Sequence, residues 1–403
     1  MTDHDSLSTN SRRKFLKSIG GIGAGALSIP GAIAAQSARP SGAIYMGDFA
    51  APKLETIKVA VIGVGARGPS HLRHVAAAPG TEIVGVCDLY KDAAERHTNH
   101  ILKTHPERHR NVKAYFGDKD AYKKMLAETK PDAVWIATPW ETHAPMAIDA
   151  MNAGAHAFVE VPLATTTEDL WKIIDVSENT QRHCMMLENV NYGREELMFL
   201  NMCRQQVFGE ILHGEAAYIH ELRGQMNHYE RGRGTGSWRT LHWANENGNL
   251  YPTHGLGPVA QYMNLGRGED NFRRLVSFSS PARNHELYAQ ERLGPNSKST
   301  KLDFSKGGDM NTSIIKTTLG RTVMVQWDES SPRPYSRHNL IQGTRGTGAG
   351  FPNRIALDYT WKNASPALRK ALGLPEDKPG KHSNHHKWLE GDGFKAFYEH
   401  FDH

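Results

Sequence analysis

From Thr56 to about Thr180, short apolar runs recur between longer stretches whose apolar residues keep helical spacing. That alternation builds a parallel sheet with helices on both faces. The runs Lys58 to Gly63 and Glu82 to Cys87 predict two strands, with further strands near Val112 to Phe116, Ala133 to Ala137, His156 to Glu160 and Cys184 to Glu188. Helices are predicted over Pro69 to Ala78, Asp118 to Lys130, Glu141 to Ala153 and Thr167 to Asn179. After a helix from Arg194 to Val207 the rhythm becomes that of antiparallel strands. These are Gly214 to His220, Arg274 to Ser279, and a pair, Thr312 to Thr318 and Thr322 to Asp328, that turns at Leu319-Gly320. Between them, Gly224 to Gly268 is rich in Gly, Asn, His and Trp and too long for a structureless loop unless it serves a site. It is expected to wall a pocket. Beyond Gly343 the pattern is looser, and Ser383 to His403 reads as helical and aromatic.

The first predicted strand runs into Gly63-Val-Gly-Ala-Arg-Gly68, and a helix follows. This strand-turn-helix setting is the one a dinucleotide fingerprint requires. Gly63 permits the tight turn, Gly65 lets the backbone approach a pyrophosphate and Gly68 lets helix and strand pack closely. The second strand ends in Asp88, placed to accept hydrogen bonds from an adenosine ribose and to repel a 2′-phosphate, so NAD is favoured over NADP. The fold class is therefore α/β: a doubly wound Rossmann sheet over 56–185, then a substrate-binding α+β domain with a mainly antiparallel sheet over 186–403.

The chain has 403 residues, room for both domains after a tail is removed. Ser11-Arg-Arg-Lys-Phe-Leu-Lys17 matches a twin-arginine signal, and Ile19 to Ile33 is Gly/Ala-rich and too weakly apolar to span a membrane stably. The expectation is an export signal over 1–35, a linker over 36–55, a periplasmic or otherwise exported location and no membrane anchor. A net charge of +5 with basic residues scattered along the chain gives no support to nucleic-acid binding. Cys87, Cys184 and Cys203 fall on predicted strands and a helix and read as small buried apolar residues. Of the 22 histidines, His100, His105, His109, His385 and His386 show no zinc-ligand spacing and are expected at the surface, and no metal is expected.

Ligands of an open parallel sheet bind beyond the carboxyl ends of its strands. Those positions here hold Thr138-Pro139-Trp140-Glu141-Thr142-His143, Glu160-Val161-Pro162 and Glu188-Asn189-Val190-Asn191-Tyr192. Thr138-Pro139 and Glu160-x-Pro162 resemble the Gfo/Idh/MocA oxidoreductases, in which a Rossmann domain precedes an open antiparallel α+β domain. Their motif is usually Glu-Lys-Pro, with the lysine aiding proton removal from the alcohol. Val161 stands there in this chain and cannot exchange a proton, which speaks against ordinary sugar dehydrogenation unless another group has taken the lysine's part.

Trp140 to His143, Glu188 to Tyr192, Tyr218-Ile-His-Glu-Leu-Arg223, Trp238-Arg239, Tyr251-Pro-Thr-His-Gly-Leu-Gly-Pro258 and Arg333-Pro-Tyr335 together resemble the NAD-dependent α-N-acetylgalactosaminidases of glycoside hydrolase family 109, from about Lys58 onward. The family pattern is expected to run on past His403 into a Gly/His-rich segment, so a truncated chain is one expectation. The resemblance implies hydride removal from sugar C3, elimination at C1 and C2, water addition at C1 and return of the hydride, with NAD restored in each turnover. That is an exception to the paired-carboxylate scheme of most glycosidases. An exported enzyme could then work with one tightly held cofactor.

By that resemblance Tyr192 is the base for the C2 proton, His254 handles the C3 hydroxyl proton and His220 is a reserve acid/base. A phenol with an ordinary pKa of about 10 needs nearby positive charge to serve as a base, and Arg239 or the nicotinamide is expected to supply it. NAD would lie against Gly63, Gly65, Ala66, Arg67, Gly68, Asp88, Trp140, Glu141, Thr142, His143, Glu160, Val161, Asn189, Arg239, Tyr251, Pro252, Thr253 and His254. The sugar would meet Tyr218, Arg239, Tyr251 and Tyr335. A homodimer is a further implication of the resemblance. Two alternatives stay open: a periplasmic sugar oxidoreductase with tightly bound NAD(P), and a non-enzymatic nucleotide- or sugar-binding protein.

Overall fold

The computed structural model describes residues 45–229, 235–236, 238–358 and 387–402. The expected export signal and the two histidines at 385 and 386 lie outside the described residues. The first sheet has six parallel strands: β1 Ile57–Ile62, β2 Thr81–Cys87, β3 Lys113–Tyr115, β4 Ala133–Ile136, β5 His156–Val159 and β6 Cys184–Met186. They stand in the order β3-β2-β1-β4-β5-β6. The helices crossing between them are α1 Gly68–Ala77, α2 Lys91–Thr104, α3 Ala121–Thr129, α4 His143–Asn152 and α5 Thr167–Thr180. Val59, Ala60, Val61 and Ile62 of β1 are all buried because helices cover both faces of the sheet. The strand order reverses between β1 and β4, which opens a crevice beyond their carboxyl ends.

The second sheet has eight strands: β7 Ile211–Ile219, β8 Phe272–Ser279, β9 Asn311–Thr317, β10 Thr322–Asp328, β11 Leu340–Gly343, β12 Gly346–Ala349, β13 Arg354–Leu357 and β14 Leu389–Glu390, in the order β14-β13-β12-β11-β7-β10-β9-β8. Two helices, α6 Arg194–Arg204 and α7 Thr253–Tyr262, cover one face. Met198, Phe199 and Met202 of α6 and Val259 and Tyr262 of α7 form a core there with Val323, Val325, Ile341 and Ile355. Phe394, Phe397 and Phe401 close this core, and buried aromatics of this size dominate core energetics. Polar ties hold the same tail on α6: Arg194 to Asp402, Tyr398 Oη to Glu195 at 2.7 Å, and Asn201 Nδ2 to the Phe401 carbonyl at 3.1 Å.

Several expectations need correction. Helix α2 was not foreseen, because its inward face is made of Ala93, Ala94, Thr98 and Ile101 and carries little apolar signal. The segment from Gly224 to Gly268, expected to wall a pocket, contains among its described residues the helix Arg239–Asn245 and the whole of α7. From Gly346 to Leu357 the chain is not loose, for β12 and β13 pair antiparallel there. The Gly-rich run 346–350 hid those strands, yet its small residues fit the core: a Cβ on Gly348 would meet the Phe199 and Phe208 rings at 3.0 Å. In the second sheet β10 runs parallel to β7, against the antiparallel rule of its neighbours. His109 is not at the surface: it is fully buried and bridges the Ile83 amide, at 3.1 Å, and the Ala76 carbonyl, at 3.0 Å. All three cysteines are free, but only Cys87 is fully buried.

Candidate active site

The phosphate-binding end of the crevice is built from the glycine turn. Gly63 takes φ +84°, and a Cβ on Gly68 would lie 1.8 Å from the Gly63 carbonyl oxygen, so neither position admits a side chain. Gly65, Ala66 and Arg67 are exposed at the start of α1. Their amides have no backbone acceptor among the described residues. Amides at a helix start suit a pyrophosphate. Asp88 accepts from the Val64 amide at 2.9 Å and from the Tyr90 amide at 3.0 Å, which holds its carboxylate beside the turn where a ribose would lie. These residues fit NAD.

Glu160 ties this end to the centre of the crevice. Its Oε1 accepts from Arg67 Nε at 2.8 Å and faces His71 Nε2 at 2.7 Å, while its Oε2 accepts from the Val161 amide at 3.1 Å. Burial pushes this carboxyl up, but the hydrogen bonds and charges of His71 and Arg67 outweigh it and hold the group down at about 2. His143 is buried between the Pro162 carbonyl, 2.6 Å from Nδ1, and the Thr138 carbonyl, 2.7 Å from Nε2. It therefore staples the loop after β4 to the loop after β5 from beneath. Thr142 Oγ1 lies 2.7 Å from both the Thr138 hydroxyl and the Pro139 carbonyl, and Glu141 is exposed with its carboxylate 3.5 Å from His242 Nε2. Asn189 is exposed at the start of the turn after β6.

Val161 packs into an aromatic cluster between the two sheets, with Trp140, Tyr218, Leu222, Trp243, Tyr251 and Trp327. Arg239 is buried beside it. Its guanidinium lies 5.1 Å from the Trp140 ring and 4.7 Å from the Tyr251 ring and pairs with Glu329. Burial raises the Glu329 carboxyl, and the guanidinium, which cannot give up its proton, opposes that rise. Arg239 thus has its own counter-ion, contrary to the expectation that it serves Tyr192. Glu329 was missed from sequence; its signal is an acid placed just after the carboxyl end of β10.

The rings expected to line the sugar pocket lie close to one another. Tyr218 lies 4.8 Å from Tyr251, 5.1 Å from His254, 5.7 Å from His220 and 6.2 Å from Tyr335, and His220 and Tyr335 meet edge to face at 5.0 Å. Burial pushes the Tyr218 and Tyr251 phenols well up despite Arg239, so both keep their protons at neutral pH. Burial, and then the Arg239 charge, lowers His220, which leaves it a neutral imidazole. Pro252 and Thr253 open α7, and His254 follows with Nδ1 2.7 Å from Glu188 Oε1. Tyr192 stands apart: it is 62% exposed, and its hydroxyl has no partner among the described residues. The structure brings Tyr218, Tyr251, Tyr335, His220 and His254 into one ring cluster and leaves Tyr192 at its border, on the turn Asn189–Tyr192 that packs on α7. Among the described residues no group of three or more His, Cys, Asp or Glu is placed to hold a metal, and no helix is long and apolar enough to cross a membrane.

Residues 57–188 match the family model described as oxidoreductase family, NAD-binding Rossmann fold, and residues 192–403 match glycosyl hydrolase 109, C-terminal domain. Glycosyl hydrolase family 109 protein 1 of Akkermansia muciniphila is 50% identical over 98% of this chain and 82% of its own length. The chain belongs to glycoside hydrolase family 109. It is an NAD-dependent glycoside hydrolase. An alpha-N-acetylgalactosaminidase of Shewanella oneidensis is 48% identical over 97% of this chain and 80% of its own length. Among solved structures, levoglucosan dehydrogenase in complex with NADH and levoglucosan shares the fold, with a TM-score of 0.57 at 18% identity, covering 75% of this chain and 76% of that one. The myo-inositol 2-dehydrogenase of Lactobacillus plantarum does so with a TM-score of 0.56 at 16% identity, covering 73% and 76%.

Proposed function

We propose that this hydrolase releases terminal α-linked N-acetylgalactosamine, or a close relative, by transient oxidation at C3 with the cofactor retained. The observation that carries the reading is the placement of His254 and the tyrosine-lined pocket against Trp140 and Val161, at the mouth of a nucleotide site whose usual lysine is missing. NAD, when bound, supplies a reversible hydride acceptor for C3. His254 takes and returns the proton of the C3 hydroxyl. The C3 carbonyl acidifies the proton on C2, which Tyr192 removes as the bond from C1 to the leaving group breaks. Water adds at C1, Tyr192 returns a proton to C2, and the C3 alcohol is restored. His220, neutral and facing Tyr335, is the reserve proton carrier. Tyr218, Tyr251 and Tyr335 offer ring faces to sugar C–H groups and hydroxyls to sugar oxygens.

The twin-arginine pattern supports export of the folded, cofactor-loaded protein. The edge strand β8 exposes Leu275, Val276 and Phe278, an apolar surface that suits a second copy of this chain. Phe278→Glu would then yield monomers in sedimentation, and an unchanged wild-type monomer overturns the dimer. The function is tested by turnover of a nitrophenyl α-N-acetylgalactosaminide in heavy water. Deuterium at C2 of the released sugar, with the C3 hydrogen kept and NAD recovered on denaturation, is the expected result. Steady NADH accumulation at the turnover rate would favour the oxidoreductase alternative, and sugar binding without turnover would favour the binding protein.

A further inference from the structure

We propose that Glu188 is the positioning residue of His254, fixing its tautomer and aim so that the C3 proton is handled by a carboxylate–imidazole pair. This rests on the role of His254 given above and extends it to a residue outside the pocket lining.

The carboxylate sits just beyond the carboxyl end of β6 and is 2% exposed. Its Oε1 meets His254 Nδ1 at 2.7 Å and also accepts from the Val190 amide at 3.2 Å. A carboxylate that accepts at this distance puts the hydrogen on Nδ1, and in the neutral imidazole that tautomer leaves Nε2 with its lone pair. Nε2 has no protein partner among the described residues, and Tyr218 and Tyr251 flank the ring edge to face at 5.1 and 4.8 Å. A bare Nε2 in a tyrosine-lined pocket is the state that can accept a hydroxyl proton.

Packing fixes the pair in place. A Cβ on Gly257 would lie 2.7 Å from Asn191 Oδ1 and 3.1 Å from Glu188 Cγ, and one on Gly255 would lie 2.3 Å from the Ala217 amide nitrogen. The two glycines let α7 wedge between β7 and the turn after β6, which sets His254 on Glu188. Glu188 Oε2 is buried with no hydrogen-bond partner. A carboxylate kept there at the cost of desolvation does more than cap a turn, which an amide or a serine could do without a charge.

Glu188→Leu removes the acceptor at similar size. It is expected to lower kcat on the order of 10²-fold, with KM within about threefold of wild type and NAD still released in equal amount on denaturation. Glu188→Gln, whose carbonyl can still accept from Nδ1 but carries no charge, is expected to recover only part of the loss. Nitrogen-15 spectra of the histidine rings, with His254 assigned from His254→Asn, give a readout independent of activity: wild type shows Nδ1 protonated and Nε2 bare, and Glu188→Leu loses that preference. A wild-type His254 protonated at Nε2 overturns the pair, whether or not the leucine variant folds. A leucine variant with altered ring signals but full kcat leaves the pairing standing and removes the proton-handling role of His254.

Discussion

On the nucleotide side of the crevice both oxygens of Asp88 and of Glu160 are engaged: Asp88 by the Val64 and Tyr90 amides, Glu160 by Arg67, His71 and the Val161 amide. On the sugar side Glu188 Oε2, Asn191 Oδ1, His220 Nδ1 and Thr253 Oγ1 are buried with no hydrogen-bond partner. Each unmet group of this kind costs about 1–3 kcal/mol. A fold bears that cost where a ligand completes the set, whereas the two carboxylates of the nucleotide side are already held by protein groups and form a rigid floor. The contrast separates a site that holds a resident cofactor from one that must admit and release a sugar in every turnover.

The largest effect that would test this contrast is at Arg239, whose buried guanidinium pairs with the buried Glu329 in the wall. Arg239→Met strands Glu329 and is expected to cost about 3–5 kcal/mol in urea unfolding. The double variant Arg239→Met, Glu329→Gln should recover part of that, and a single variant as stable as wild type would show that the pair is not buried as described.

Next is Tyr192→Phe, at the exposed border of the pocket. Turnover and C2 deuterium exchange should both fall on the order of 10²-fold, about 2.7 kcal/mol in barrier, with no change in melting temperature or bound NAD. A normal rate would assign the C2 proton to another group.

Acid titration probes the wall again, through His285. Burial against Trp243 and Phe304, and secondarily the charge of Arg223, lowers this imidazole to about 4. Its folded value lies below the unfolded value near 6.5, so its contribution is complete above about pH 6.5 and is lost as pH falls toward 4. Thermal unfolding should show about 2 kcal/mol of that loss by pH 5, and His285→Phe should flatten the decline. An equally steep decline in the variant would place the acid sensitivity elsewhere.

The smallest expected effect is on the finished floor. Glu160→Gln loosens Arg67 and His71 and should weaken NAD retention about tenfold, measured by dialysis, with kcat at saturating NAD near wild type. A large drop in kcat would mean that Glu160 acts in the chemistry and that the floor is not merely a holder.

The floor was also the more legible half of the sequence. Gly63, Gly68 and Asp88 are local in sequence to the strands that present them, so spacing alone places them. Glu141, Thr142 and His143 follow β4 directly, and the Leu319-Gly320 turn between β9 and β10 was read from its residues. Helix α2 is hidden in the sequence because alanines make a buried face that carries little contrast, and β12 and β13 because glycine is a poor strand signal even where neighbouring rings require it.

What the amino-acid sequence determined by itself was the alternation of β1 to β6 with α1 and α3 to α5, the glycine turn and the set of residues beyond the strand ends, since each depends on contacts a few residues apart. Only the tertiary structure decided that β10 lies parallel to β7, that Glu329 neutralises Arg239 across 90 residues and that Glu188 meets His254 across 66. Those pairings arise from how two sheets and α7 pack together, and nothing in the spacing of one segment encodes the charge or hydrogen that another brings to it.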